Sequence, residues 1–330
     1  MRHIFLICAV ALSFVIHVTC ALATPLSDAL MFWEPPQALL CNATGTPYPT
    51  KYSAGDPTHC DDGDMTLFNG LLCAAGDGRG CEGVRLSQGA DGRWWRSPRR
   101  IGWTYPNHDV SFSPDQALGV MLYAVATRDV KAFDRWLQWI ADNRPCLIKV
   151  GSNCIKEGWL RYCTDDAADK RCTLRPGDCT YLKATANYLG SARARLCEDV
   201  IDDLAGAAPF PKNLILSVPG QALASATANT PGFPLHLASV GLFLARTMGL
   251  QDPDLDAAAK VLVAKQGENP FFQFLSVGKA QGVTDQLLAL CPTQARPSGN
   301  RSQWAWERDQ AEQAWKDSMY WDCIFLGKLQ

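Results

Sequence analysis

Fourteen cysteines occur in the 330 residues, and twelve of them lie beyond the N-terminal segment, at positions 41, 60, 73, 81, 146, 154, 163, 172, 179, 197, 291 and 323. An even set of this size restricts the chain to folds that bring thiols together in pairs, provided that it matures in an oxidising compartment. The N-terminus supplies the export signal that this condition needs. Met1-Arg2-His3 is followed by an apolar run from Ile4 to Val18, and Ala21-Leu22-Ala23 forms a small-x-small cleavage site before Thr24. Residues 1–23 therefore read as a signal peptide that carries Cys8 and Cys20 away. His17 stands where a lipobox has an apolar residue, which argues against lipidation at Cys20. No later segment approaches the roughly 20 apolar residues of a spanning helix. The expectation is a secreted or periplasmic protein with no integral membrane segment after signal removal.

Five cysteines crowd between Cys146 and Cys179, with no Cys-x-x-Cys pair and no histidine close by. Structural zinc sites use tighter pairs, so disulfides are expected, with no metal and no cofactor. The pairing itself stays open, because spacing does not determine connectivity.

Apolar spacing along the chain is mostly helical. Residues 24–60, rich in proline, glycine and threonine, read as an N-terminal strap, and residues 61–330 as a single helical domain with a cysteine-rich insert at 144–179. Met65, Leu67, Phe68, Leu71 and Leu72 share one side of a helix that ends near Gly76. Ser113-Pro114-Asp115-Gln116 combines an N-cap serine, proline at the first helical position and a capping-box glutamine. It opens a helix over 114–127, and a short turn joins this to another over 129–143. Further helices are expected over about 180–205, 234–250, 254–266, 282–291 and 307–327. Val84 to Leu86 and Asn213 to Val218 are short strand candidates. The pattern predicts an all-α fold, an α/α toroid or solenoid of antiparallel helix hairpins with a disulfide-stapled insert.

Chemistry concentrates between Asp91 and Tyr123, where three tryptophans, four arginines, a histidine and three aspartates fall together. Trp94, Trp95 and Trp103 offer indole faces for stacking on sugar rings, and Tyr105 adds a phenol. Arg96 and Arg99 carry guanidinium forks suited to carboxylates or sulfates. His108 sits where a general acid or base works near neutral pH, unless it is simply hydrogen-bonded to a neighbouring carboxylate. Asp115 lies in the first turn of its helix and Asp64 at the start of another, positions that equally suit capping. Glu157-Gly158-Trp159 and Arg161-Tyr162 in the insert are candidates for a rim subsite or for the insert's own small core. His236, between Leu235 and Leu237, reads as a core histidine. Trp304, Trp306, Trp315 and Trp321 read as core contacts near the C-terminus. Asn42-Ala43-Thr44 and Asn300-Arg301-Ser302 match glycosylation acceptors. A formal net charge of −2 without a basic stripe argues against nucleic acid as a partner. No nucleophile elbow, phosphate loop or His-Glu-x-x-His motif is present.

Asp64-x-x-x-Phe68-x-Gly70-Leu71-Leu72 and Ser113-Pro114-Asp115-Gln116-x-x-Gly119 resemble helix starts in the six-hairpin, α/α-toroid glycosidases and polysaccharide lyases. Position 114 is proline where many such chains have arginine. The resemblance implies an exported carbohydrate-active enzyme that cleaves glycosidic bonds of a polysaccharide or oligosaccharide. In a hydrolase, Asp64 and Asp115 would form the carboxylate pair over a floor of Trp94, Trp95 and Trp103. In a lyase, His108 or Tyr105 would remove the proton beside a uronate held by Arg96 or Arg99. A third reading comes from another class: a non-catalytic, disulfide-stapled envelope or secreted protein that binds glycan or protein.

Overall fold

The computed structural model describes residues 24–52, 60–108, 110–165, 171–198, 200, 217–296 and 320–330. The signal-peptide reading, residues 213–216 of the strand candidate Asn213 to Val218, the 300–302 acceptor site and Trp304, Trp306 and Trp315 lie outside the described residues. The described end of that candidate is corrected, because Ser217 caps and Val218 opens a helix. The expected all-α architecture is corrected. Helices dominate, but three separate two-stranded antiparallel sheets accompany them, and no toroid is formed by the described elements.

The strap opens with α1 (Pro25–Trp33), which Thr24 caps by accepting the Ser27 N–H. It continues as the hairpin β1 (Leu40–Ala43) and β2 (Thr46–Pro49), then β3 (Lys51–Tyr52), which pairs with β4 (Cys60–Asp61). Helices α2 (Met65–Ala74) and α3 (Gly78–Leu86) follow. The strand expected at Val84 to Leu86 is therefore the last turn of a helix. Asp77 caps that helix through the Arg79 N–H, and a disulfide ties Cys81 back to Cys73. These local ties hold a glycine-rich stretch helical where its apolar pattern does not.

Helices α4 (Pro114–Thr127) and α5 (Val130–Asp142) match their expected spans closely. The insert is a hairpin of β5 (Cys146–Val150) and β6 (Asn153–Glu157) that leads into α6 (Pro176–Leu189). Beyond it lie α7 (Val218–Ala228), α8 (Phe233–Thr247), α9 (Pro253–Lys265), α10 (Pro270–Val277), α11 (Gln281–Leu290) and α12 (Trp321–Leu329). No described helix is long and apolar enough to cross a membrane.

One continuous apolar core links α1 to α12, and α4 runs through its middle, packed on α2, α5, α6 and α8. The closest crossing is that of α2 and α4, where Gly70 faces Gly119. A methyl group at either position would come within 2.3 Å of backbone atoms of the other helix. Glycine at both positions lets the two backbones touch, and this fixes where Asp115, one turn before Gly119, emerges from the core.

All twelve cysteines beyond the N-terminal segment are paired, each with its neighbour in sequence: 41–60, 73–81, 146–154, 163–172, 179–197 and 291–323. They close short loops and staple local elements rather than joining distant parts of the chain. Six disulfides fit maturation in an oxidising compartment.

Candidate active-site cleft

The tryptophan and arginine loop turns largely inward. Trp94 is fully buried, with its Nε1–H donating to Val84 O at 2.8 Å and its ring edge-on to Trp136. Trp95 is buried beneath the Arg93 guanidinium, 4.0 Å from its ring centre. The placement of these two indoles in the interior corrects their reading as a groove floor. Indoles of this size remove more apolar surface from water by packing than by lining a groove. Trp103 and Tyr105 are exposed, and the His108 ring stacks on Trp103 at 4.3 Å.

The arginines are bound to buried carboxylates. Arg96 Nη1 lies 2.7 Å from Asp64 Oδ1, and its Nε–H donates to Val110 O. Gln116 Nε2 donates to the same Asp64 oxygen at 2.9 Å. Arg99 Nε sits 3.3 Å from Asp62, which also accepts the Tyr48 and Ser97 hydroxyls. Arg93, absent from the sequence reading, joins Asp165, whose carboxylate also accepts from the Tyr105 N–H and the Ser111 hydroxyl. Asp64 does not cap its helix. Its backbone is left-handed, at φ 52°, and its side chain turns to Arg96 instead.

Asp64 and Arg96 thus form a desolvated pair that locks the loop onto the start of α2. Breaking a pair of this kind strands the other charge, which typically costs about 3–5 kcal/mol. Arg96→Gln is expected to lower unfolding stability by about 3 kcal/mol in urea denaturation. A loss below about 1 kcal/mol would mean that the pair is solvated.

Asp115 emerges elsewhere. The first turns of α4, α6 and α8 meet around a cleft of about 480 Å³, and proline stands at the first or second position of each, as Pro114, Pro176 and Pro234. Fixed φ and the missing N–H make proline well suited to these positions. Asp115, Asp178, Tyr181, Arg175, Gln221, Ser225 and Asn229 supply the cleft's polar lining. Asp115 accepts the Ser113 hydroxyl at Oδ1 and Gln116 Nε2 at Oδ2, the latter at 3.4 Å. Gln116 therefore bridges from Asp64 in the interior to Asp115 in the cleft.

Asp178 accepts the Arg175 N–H at Oδ2, 2.7 Å away. Burial, with the Asp115 carboxylate adding repulsion, pushes Asp178 up to about 6, although the Arg175 N–H and charge pull it down. Burial likewise raises the Tyr181 phenol well above its ordinary range. Two carboxylates in one cleft, one holding its proton close to neutrality, are equipped for acid–base chemistry. Of the residues singled out from sequence, Asp115 lines this cleft, whereas Asp64 and His108 are not among its lining residues. Asp178 was missed. Its signal was present in Arg175-Pro176-Gly177-Asp178, a second proline-started helix with an acid in its first turn.

A second cleft of about 470 Å³ adjoins the first and shares Arg175 with it. Trp159, 56% exposed, and Leu147 form its apolar side, and Arg161 and Arg175 are its charged residues. Arg161 Nε and Nη2 and the Tyr162 hydroxyl are buried without a hydrogen-bond partner. Donors left in this state typically cost about 1–3 kcal/mol each. Among the described residues no cluster of histidine, cysteine and carboxylate side chains is arranged to hold a metal ion. No family model, curated protein or solved structure matches this chain.

Proposed function

We propose that the chain is an exported enzyme that cleaves glycosidic bonds of a polysaccharide by carboxylate acid–base catalysis in the cleft of Asp115 and Asp178. The observation that carries this reading is the pairing itself: two carboxylates open onto one concave site, and one is pushed up to about 6. Asp178, protonated below that value, gives its proton to the glycosidic oxygen as the bond to the anomeric carbon breaks. Asp115, its oxygens held by Ser113 and Gln116, takes a proton from the water that adds to that carbon, so that a hydroxyl ends on each fragment. Gln221 and Asn229 offer amides for sugar hydroxyls, and Trp159 in the adjoining cleft offers a stacking face.

This reading moves the partner of Asp115 from Asp64 to Asp178. It leaves the lyase route through His108 or Tyr105 with less support, because Arg96 and Arg99, its uronate-binding groups, are tied to Asp64 and Asp62. One observation favours the non-catalytic glycan-binding reading. Asp178 caps α6 through the Arg175 N–H, which is a structural use for that carboxylate.

Incubation with a panel of neutral and acidic polysaccharides separates the readings. New reducing ends without new ultraviolet absorbance mark hydrolysis, whereas an unsaturated, absorbing product marks a lyase. Binding without cleavage of any member marks the inert protein. Because the acid must carry its proton, kcat is expected to fall as pH rises through about 6, about tenfold for each further pH unit. A rate that stays level up to pH 8 would remove Asp178 from the acid role.

A further inference from the structure

The second cleft carries a more specific message about the substrate. Its two charged residues, Arg161 and Arg175, are both cationic, and no carboxylate lines it. Arg161 lines the cleft with its Nε and Nη2 enclosed by protein rather than open to the cleft, so its contribution there is positive charge. Two guanidinium charges without a counter-charge in the lining favour an anionic sugar over a neutral one. Trp159 stands exposed in the same cleft and presents a face on which a sugar ring can stack. Arg175 belongs to both clefts, so a sugar seated here lies next to the Asp115 and Asp178 site along one chain.

We infer that this cleft is a subsite for a uronate residue of the polysaccharide, with Arg161 and Arg175 supplying the positive charge that attracts the sugar carboxylate and Trp159 stacking on the ring. The inference rests on the glycosidic-bond reading above, which it deepens by naming an acidic polymer as the substrate class.

The test uses the full mature chain carrying Asp178→Asn, so that bound polymer is not consumed. Affinity electrophoresis and calorimetry are run against polygalacturonate, alginate and hyaluronan, each beside its carboxyl-reduced form, with dextran and dextran sulfate as further probes. At least one uronate polymer is expected to bind ten times or more tightly than its reduced form. Arg161→Gln is expected to erase that preference, while Arg195→Gln, which removes an equal charge from an exposed site paired with Glu198, leaves it intact. Trp159→Ala, at an exposed position that does not endanger folding, is expected to weaken binding of both forms alike. Equal binding of native and reduced polymers, binding of dextran sulfate alone, or no binding at all overturns the subsite. Retention of a uronate polymer that the unmutated protein never cleaves supports the subsite and overturns the hydrolase reading. Cleavage of a neutral polymer without uronate preference does the reverse.

Discussion

Asp178→Asn is expected to abolish cleavage while making the protein more stable at neutral pH. Both effects come from the raised proton affinity of one carboxyl. Asp178 sits at about 6 against an ordinary 3.8, because burial and the neighbouring Asp115 oppose its charge. The folded state therefore holds this proton more tightly than the unfolded state does. The stability it contributes is complete below about 3.8 and is lost as pH rises through about 6. At pH 7.5 the wild-type chain carries an unfavourable charge that asparagine lacks, while the amide oxygen still accepts the Arg175 N–H. The gain should be on the order of 1–2 kcal/mol, since solvent reaches part of the group. Thermal unfolding should show a melting temperature a few degrees higher at pH 7.5 and no difference at pH 4. Loss of the general acid should lower kcat by about 10²–10⁴. A variant that is less stable at pH 7.5 would assign the residue to capping, and one with full activity would end its catalytic role.

Replacing either glycine of the α2 and α4 crossing should have the largest effect on folding. A Cβ at residue 70 would lie 2.3 Å from Gly119 O, and one at residue 119 would lie 2.2 Å from Thr66 O. In an unobstructed helix, glycine to alanine stabilises by about 1 kcal/mol. Here two backbones would have to separate, and because both belong to the core the strain cannot be relieved by a side-chain rotation. Gly70→Ala and Gly119→Ala are each expected to cost about 3 kcal/mol or more, beyond the usual range for overpacking. The double variant should cost less than the sum of the two, because the first widens the crossing for the second. Gly282→Ala, in α11 with nothing within 4 Å of the added carbon, should be neutral or stabilising. Urea denaturation of the three variants decides the matter, and equal stability of all three would contradict the crossing. Because Asp115 lies one turn from Gly119, any folded variant there should also lose activity by moving that carboxylate.

Helix α4 was legible because its determinants are neighbours in the chain. Ser113-Pro114-Asp115-Gln116 marks its start, and Leu118, Met121, Leu122 and Val125 recur at helical spacing. The β5 and β6 hairpin was not legible. Leu147, Ile148, Val150 and Ile155 are all exposed, so the hairpin has no buried face to impress an alternating pattern on its sequence. Its pairing is held by ladder bonds and the Cys146–Cys154 disulfide. Helix α3 was misread for the opposite reason: a short apolar segment at Val84 to Leu86 suits either structure, and a cap and a disulfide decided for helix.

The sequence by itself determined the disulfide-rich character of the chain, the central helix and the presence of Asp115 in its first turn, because each depends on residue identity and near spacing. The expected Ser113 cap and Gln116 capping box do not form, since both side chains bond to Asp115 and Gln116 also to Asp64. Tertiary structure alone decided the use of the charges. Asp64 and Arg96 are 32 residues apart, and only folding places them 2.7 Å from each other and commits both to the interior. Asp178 gained its chemistry in the same way, through burial and the approach of Asp115 from another helix. Electrostatic character depends on distance and solvent exclusion, and neither is encoded by a residue's place along the chain.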